Sequence, residues 1–238
     1  MIGTSGRLTG THMKLRWSIA VVAALCAVVA AGAWQFGAPS PYAHVASIER
    51  TPVFRDPALL AQAERMPVAR AYLGHAFEYQ HNPSVCGPTS AADVLHSMGR
   101  ADSQTEVMTR AGVGSVFGYV IPGLTLDQEA SVLRKTTGAP VTLYRNLDLA
   151  TFRRLLARAN DPTLRFVVNF HRGPMFGRGH GHFSPILAWL PTRDLVLVGD
   201  VNRAYGIYLV STRRLFDAMN TIDDVTGKTR GLLMVTLR

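Results

Sequence analysis

Residues 80–98 read Gln80-His-Asn-Pro-Ser-Val-Cys86-Gly-Pro-Thr-Ser-Ala-Ala-Asp-Val-Leu-His-Ser-Met98, and this stretch decides the fold. A glutamine precedes a cysteine by six positions, where an irregular loop turns into a helix. From Ala91 the apolar residues recur at helical spacing, and Gly99 supplies a C-terminal stop. A thiol at a helix N-terminus lies at the positive end of the helix dipole, which favours the nucleophilic thiolate. The alternative is a buried cysteine that only fills space, and a base elsewhere in the chain decides between the two.

The first 33 residues have the pattern of an export signal. Three basic residues precede an uncharged apolar run over 17–33, which ends in small residues before Trp34. This pattern is typical of a secretory signal peptide with cleavage after Ala33. The run is close to the shortest length that spans a bilayer, so an uncleaved membrane anchor is the alternative. We therefore predict an exported domain, periplasmic or anchored at the inner membrane, with a start at Met1 or Met13.

Charge and cysteine content narrow the class of protein further. The chain has a formal net charge of +9, but its basic residues form no runs of four or more. This scatter argues against a nucleic-acid partner, and we expect contact with a membrane only through the N-terminal segment. Without residues 1–33 the chain keeps one cysteine, Cys86. A lone thiol in an oxidising compartment forms no internal disulfide and is open to oxidation, which favours a chemical role for it.

The rest of the chain is predicted to be a linker, 34–52, followed by one domain, 53–238. Proline recurs in the linker and forbids long helices there. Helices dominate the first half of the domain, where capping boxes at 103–106 and 125–128 each start a helix. Strands dominate the second half, and no βαβ alternation or internal repeat is present. The order predicts an α+β fold with two lobes.

A predicted hairpin in the second half supplies partners for the thiol. Its turn lies at 191–194, so His182 at the start of one strand faces Asp200 at the end of the other. A cysteine nucleophile needs an imidazole to exchange its proton and an acceptor that fixes the tautomer of that imidazole. Gln80 can join the backbone N–H of Cys86 as an oxyanion donor. We therefore predict a catalytic group of Cys86, His182, Asp200 and Gln80.

Other readings of the same residues stay open. His180 is an alternative to His182 as the base. The Gly-His-Gly-His run at 179–182 is an alternative metal site, but no further ligands stand at metal spacing, so we predict no metal site and no cofactor. The glycines of 173–181 fit no phosphate-binding fingerprint, because no helix follows them. A catalytically inactive binding module with a structural cysteine is the remaining alternative.

Several short motifs resemble the phytochelatin synthase family. They are Gln80…Cys86-Gly, Phe170-His-Arg-Gly173, Gly179-His-Gly-His-Phe-Ser-Pro-Ile186 and Asp200-Val-Asn-Arg203, and the resemblance covers about residues 50–225. That family belongs to the papain-like cysteine peptidase superfamily. The resemblance therefore implies a papain-like, two-lobed fold. A helical lobe would carry the nucleophile helix, an antiparallel sheet lobe would carry the histidine and the aspartate, and the active site would lie in the cleft between them.

The resemblance also implies a reaction. Cys86 would be the nucleophile, His182 the general base and acid, Asp200 the orienting acid and Gln80 the oxyanion donor. The implied substrate is glutathione, whose Cys–Gly bond is broken to release glycine and leave a γ-glutamylcysteinyl thioester. Transfer of the acyl group to water gives γ-glutamylcysteine, and transfer to a second glutathione gives a phytochelatin.

Further expectations concern the substrate and the partners. Arg203 and Gly181 are the predicted substrate-binding residues, and a guanidinium group at position 203 would match a substrate carboxylate. Heavy-metal ions are expected only as metal–thiolate substrates or activators, in metal detoxification, and a homodimer is plausible by resemblance. The chain ends soon after the catalytic domain, as short bacterial forms do, so we expect hydrolysis to exceed polymer synthesis. Gly-Pro after Cys86 also occurs in bacterial peptidases that cut leader peptides behind a double glycine, which is the alternative function.

Overall fold

A six-stranded antiparallel sheet organises residues 40–237, the part of the chain that this computed structural model describes. The strand order is β1-β6-β2-β3-β4-β5. The strands are β1 (Val141–Tyr144), β2 (Leu164–His171), β3 (Gly181–Leu190), β4 (Leu195–Gly199), β5 (Ile207–Ser211) and β6 (Leu232–Thr236). Every neighbouring pair is antiparallel, so the predicted α+β class with an antiparallel sheet is confirmed.

Strand β2 shows why the sheet is covered on both faces. Successive side chains of a strand point to opposite faces. Phe166 and Val168 pack into one apolar core, and Val167 between them packs into another. Seven of the eight residues of this strand are buried, so it lacks the apolar–polar alternation of a strand with one face in water. The sheet therefore lies between two helical layers.

The layer on one face carries the cysteine. It consists of α1 (Pro57–Glu64), α2 (Pro67–Leu73), α3 (Cys86–His96), α4 (Gln104–Ala111) and α5 (Leu126–Thr137). Helix α3 packs on β3, and α4 and α5 pack against α3. Both predicted capping boxes start their helices, and Gly112 and Gly138 end α4 and α5 with left-handed φ angles of 69° and 71°. The predicted lobes are thus confirmed, with the nucleophile helix on the sheet.

The layer on the opposite face consists of α6 (Leu149–Leu156), α7 (Gly173–Phe176) and α8 (Thr212–Met219). The sequence pattern predicts a Gly- and His-rich loop over 171–181, but helix α7 forms within it. Its single turn forms because the side chain of Met175 is fully buried and that of Phe176 nearly so, in the core of this face. Gly177, at φ 74°, ends it. The turn fixes the direction in which the chain enters β3.

Residues 41–55, which we name the N-terminal arm, lie on this second face as well. Ile48 and Phe54 are buried there, and the ring of Phe54 stacks on that of Tyr208 with centroids 5.0 Å apart. The predicted linker, 34–52, falls partly in this arm. The predicted signal or anchor, 1–33, lies outside the described residues and stays a prediction. Within residues 40–237, no helix has both the length and the apolar character needed to cross a bilayer.

Candidate active site

Cys86 is the first residue of α3 and is 7% exposed. Burial raises the pKa of its thiol to about 11. The backbone N–H groups of Phe183 and Gly87 and the charge of Arg172 act in the opposite direction, while Glu129 adds to the rise. The sequence argument expected a thiolate at the helix N-terminus, but the loss of solvation outweighs the backbone donors. The resting group is therefore a neutral thiol, which needs a base during the reaction.

His182 and Asp200 meet as predicted, at the open end of the β3–β4 hairpin. The register shifts by one residue between Ile186 and Ala188, and His182 Nε2 lies 2.9 Å from Asp200 Oδ1. Burial lowers the pKa of His182, and the charge of Arg172 lowers it further against the opposing effect of Asp200. The imidazole is therefore neutral at pH 7, the form that a general base requires. Because Nε2 is bonded to Asp200, Nδ1 is the ring nitrogen left to exchange a proton with the thiol.

Arg172 completes the surroundings of Asp200, and the sequence argument gave it no role. Its Nη2 donates to Asp200 Oδ1 at 2.7 Å, and the backbone N–H of Asn202 donates to the same oxygen at 2.8 Å. Burial alone would raise the pKa of Asp200, but His182 and Arg172 together hold it below its ordinary value. The guanidinium also stacks on the ring of Tyr205, 4.1 Å from its centroid. Asp200 is thus held as an anion that orients the imidazole.

Gln80 lies beside the same strand end. Its backbone N–H donates to the carbonyl oxygen of Val201 at 2.8 Å, one residue beyond Asp200. Its side-chain Oε1 is buried and has no hydrogen-bond partner within residues 40–237. The structure therefore brings all four predicted catalytic residues to one region, with Gln80 and Cys86 on the helical side and His182 and Asp200 on the sheet.

A cleft of about 230 Å³ opens at Cys86. Gly181, one of the two predicted substrate-binding residues, lines it. Arg203 is not among the described residues that line this cleft; it is exposed, and its guanidinium lies 4.6 Å from the ring centroid of Tyr79. His180 also lines the cleft, but the bond to Asp200 belongs to His182, and this favours His182 as the base.

Arg230 lines the cleft with a positive charge, in the segment 221–230, for which the sequence pattern predicts only a polar loop. It is 6% exposed, and its Nη1 donates to Asp223 Oδ2 at 3.1 Å, while Nη2 lies 3.9 Å from Asp224 Oδ2. A Cβ atom at Gly181 would come within 2.3 Å of Nη1, so the glycine allows the guanidinium to approach β3. In the sequence the sign of this contact is Gly181, directly before His182, but the sequence does not show which side chain approaches the glycine.

Glu129 of α5 is a second unpredicted feature. It is fully buried, and neither carboxyl oxygen has a hydrogen-bond partner in the described part of the chain. Burial raises its pKa to about 8. A Cβ atom at Gly87, the residue after the nucleophile, would lie 2.6 Å from Glu129 Oε2. A neutral carboxylic acid therefore packs directly under the start of the nucleophile helix.

The described part of the chain holds no group of three or more His, Cys, Asp or Glu side chains arranged to bind a metal ion. In the Gly-His-Gly-His run, the Nε2 atom of His182 is occupied by Asp200. The site as it stands can accept a proton from a thiol, stabilise an oxyanion and pair with a zwitterionic ligand.

Known proteins are similar to the region of the chain that contains the candidate site. Residues 55–232 match the family model for phytochelatin synthase. Glutathione gamma-glutamylcysteinyltransferase 1 of Triticum aestivum is 30% identical over 183 residues, which cover 68% of this chain and 35% of that protein. The enzyme of the same name from Arabidopsis thaliana is 28% identical, over 67% of this chain and 35% of that one. The chain thus spans about a third of the length of these curated relatives.

Solved structures give more distant matches. The peptidase domain of Streptococcus ComA is 16% identical with a TM-score of 0.48, over 68% of this chain and 97% of that one. A C39-like peptidase from Bacillus anthracis is 11% identical with a TM-score of 0.48, over 68% and 94%.

Proposed function

Since the chain belongs to the phytochelatin synthase family, we propose that it processes glutathione through a covalent intermediate on Cys86. The observation that carries the proposal is the buried His182–Asp200 pair, with 2.9 Å between Nε2 and Oδ1, beside a thiol that opens on a charged cleft. The curated relatives are named glutathione gamma-glutamylcysteinyltransferases, which supports the same substrate.

The charges of the cleft fit the γ-glutamyl end of glutathione. That end carries an ammonium and a carboxylate on the same carbon. Arg230 offers a guanidinium to the carboxylate, and Asp223 and Asp224 offer carboxylates to the ammonium. The cleft is smaller than the roughly 300–1,000 Å³ of drug-sized sites, which suits a dipeptide-sized acyl group. Arg203, beyond the cleft, remains a candidate for a carboxylate that extends past Tyr79 and Gln80.

Acylation begins with a neutral thiol and a neutral imidazole. As the sulfur of Cys86 attacks the carbonyl carbon of the Cys–Gly bond, Nδ1 of His182 accepts the thiol proton. Asp200 keeps the imidazole oriented and stabilises its positive charge. The Gln80 side chain and the Cys86 N–H stabilise the oxyanion. The imidazolium then gives its proton to the glycine nitrogen, the C–N bond breaks, and a γ-glutamylcysteinyl thioester remains.

Deacylation repeats these steps with a new nucleophile. Water, or the α-amino group of a second glutathione in its neutral form, loses a proton to His182 and attacks the thioester carbonyl. The C–S bond then breaks, and the proton passes to the sulfur of Cys86. Water gives γ-glutamylcysteine, and glutathione gives a phytochelatin. We propose that hydrolysis predominates and that heavy-metal ions enter as metal–thiolate substrates or activators in detoxification. We also propose that the domain works outside the cytoplasm, exported or held by an N-terminal membrane anchor, and that it forms a homodimer.

An apolar rim beside the cleft supports a second candidate, a peptidase that acts on a longer peptide. Val116, Phe117 and Ile121 are 61%, 98% and 76% exposed, and residues 122–124, which follow them, line the cleft. Glutathione has no apolar group to cover such a rim. A leader-type peptide with apolar side chains would do so.

Glycine release from glutathione by the purified full chain tests the proposal, with and without cadmium. We expect Cys86→Ser to reduce release to background and His182→Ala to reduce it by about 10³-fold or more. His180→Ala, on the same loop, is the matched control and should retain most of the activity. Full activity in Cys86→Ser, or a larger loss in the His180 variant, contradicts the assignment. Cleavage of a double-glycine leader peptide without glycine release from glutathione selects the second candidate.

A further inference from the structure

Gln104, the first residue of α4, contacts both the loop that carries Gln80 and the nucleophile helix, although no sequence motif marks it. We propose that Gln104 is a positioning residue for Gln80: its side-chain amide joins the loop 78–81 to the nucleophile helix and so fixes the oxyanion donor relative to Cys86. This inference rests on the proposed function through the role given to Gln80. Gln104 itself touches neither the cleft nor the thiol.

The side-chain amide of Gln104 forms hydrogen bonds to the residues that flank Gln80. Gln104 Nε2 donates to Glu78 Oε1 at 2.7 Å and to the carbonyl oxygen of Tyr79 at 3.1 Å. Gln104 Oε1 accepts from the backbone N–H of His81 at 3.2 Å. The side chain therefore bonds to both neighbours of Gln80 along the chain, and it is only 5% exposed.

The other side of the amide reaches the nucleophile helix. Thr89 Oγ1, one turn into α3, lies 3.1 Å from Gln104 Oε1 and 2.8 Å from the carbonyl oxygen of Val85, the residue before the nucleophile. A glutamine amide has two donor hydrogens and two acceptor lone pairs. Here both hydrogens and one lone pair have protein partners of their own, and the second lone pair faces the single hydroxyl hydrogen of Thr89, which it shares with the Val85 carbonyl. A glutamate would lose both donors and place its charge against Glu78, while a methionine would lose every bond.

The loop has two further ties, one to the helix and one to the sheet. The backbone N–H of Glu78 donates to Asp93 Oδ1 of α3 at 2.8 Å. The backbone N–H of Gln80 donates to Val201, next to Asp200, while Gln80 Oε1 is buried without a partner among residues 40–237. Removal of the Gln104 side-chain bonds would leave the loop attached to the helix at Glu78 and to the sheet at Gln80, but residues 79 and 81, on either side of the oxyanion donor, would lose their side-chain ties. Oxyanion donors act because they are held in place before the reaction, and a displacement of about 1 Å can lower a rate about 10²-fold.

A double-mutant cycle separates positioning from general stability. We expect Gln104→Met to lower kcat for glycine release about 10- to 100-fold, with KM within about threefold. In the Gln80→Ala background, Gln104→Met should cause little further loss, because its effect passes through Gln80. Gln104→Glu, which keeps the size but loses both donors and places a charge against Glu78, should give a loss at least as large, and it serves if the methionine variant does not fold.

The chain offers a matched control at the far end of β3. Asn160 Nδ2 donates to the carbonyl oxygen of Trp189 at 2.8 Å, and its Oδ1 accepts from the N–H of Trp189 at 3.1 Å. Asn160→Leu removes a comparable amide bridge and should leave kcat unchanged. Equal losses of kcat from Gln104→Met with and without Gln80→Ala, or an unchanged kcat, would overturn the inference.

Hydrogen–deuterium exchange keeps this inference distinguishable from the proposed function. If the wild-type protein releases no glycine from glutathione, the proposed function fails, but the exchange of residues 78–82 still reports on the contacts of Gln104. Exchange there should be faster in Gln104→Met than in wild type and in Asn160→Leu. Equal exchange in all three proteins would overturn the positioning role.

Discussion

Asp200 and Glu129 are both fully buried carboxyl groups near the nucleophile, yet they have opposite surroundings. Asp200 accepts hydrogen bonds from His182, Arg172 and the backbone of Asn202, and its pKa stays below its ordinary value. Glu129 has no partner on either oxygen, and burial alone raises its pKa to about 8. Burial is equal in the two cases, so the donors decide the charge. One group is an anion that orients a base, and the other is a neutral acid that fills space at pH 7.

Among the variants that test this comparison, Asp200→Asn should cause the largest loss of activity. We expect kcat/KM for glycine release to fall about 10³- to 10⁴-fold, because an amide cannot balance an imidazolium and can hold the wrong tautomer of His182. Glu129→Gln, the matched change at the other buried carboxyl, should stay within about threefold of wild type. Steady-state kinetics at pH 7.5 measure both. Similar losses in the two variants would mean that the two carboxyl groups do not differ in role.

Arg172→Met should have an intermediate effect, which also appears in the pH profile. We expect a loss of about 10- to 100-fold in kcat/KM, as for a charge-assisted bond to a catalytic group. The acid limb should also move to higher pH. His182 acts as a base only when neutral, so activity falls as the pH drops through its pKa, and removal of the cation lets that pKa rise.

The control for this shift is Arg178→Met. Arg178 is 69% exposed and lies 3.5 Å from Glu49 in a surface ion pair. Its removal should leave the acid limb where it is. An unshifted limb in Arg172→Met would show that the guanidinium only packs against the aromatic rings around it.

Glu129→Gln should have the smallest effect, on stability rather than on activity. A carboxyl group whose pKa is raised by folding binds its proton more tightly in the folded state. Its contribution to the stability of the fold is therefore fully present below its pKa in the unfolded chain, near 4.5, and is lost as the pH rises towards 8. That shift corresponds to roughly 5 kcal/mol at most. A buried glutamine amide costs about 1–3 kcal/mol when unpaired. At pH 8 we expect the variant to be more stable by about 2 kcal/mol.

Urea unfolding at pH 5, 7 and 8 measures this difference. The advantage of the variant should shrink as the pH falls to 5, where Glu129 is protonated in the folded protein. The exposed Glu64→Gln variant, on α1, is the control. A wild-type protein that gains stability over Glu129→Gln between pH 5 and 8 would contradict the neutral state of this carboxyl.

The parts of the fold that sequence could predict depend on neighbours along the chain. Ser103 and Thr125 cap their helices through a residue three positions later, so the capping boxes gave correct starts for α4 and α5. The meeting of His182 with Asp200 follows from one hairpin, and only the one-residue shift of register near Ile186 went unpredicted.

The parts that sequence could not predict depend on partners from distant segments. Glu129 lies in a polar helix turn, and only the packing of α3 on α5 shows that it is buried under Gly87. The sequence predicts only a polar loop around Arg230, and the structure shows that the guanidinium lies beside Gly181 of the sheet. The pKa of Cys86 was misjudged for the same reason, because the helix dipole is local while burial of the thiol depends on how distant segments pack around it.

The contacts of the N-terminal arm determine how late in synthesis this part of the molecule can fold. Arg55 donates to the carbonyl oxygen of Tyr205, 150 positions later, and Phe54 stacks on Tyr208, whose hydroxyl lies 3.4 Å from Asp200 Oδ2. A ribosome adds about 5–20 residues per second, so the arm waits roughly 8–30 s for these partners. Contacts over such long separations form late in folding. A nascent chain that ends before residue 205 contains the thiol, His182 and Asp200 but not the tyrosines that the arm contacts, so the arm can take its place only when nearly the whole domain has been made.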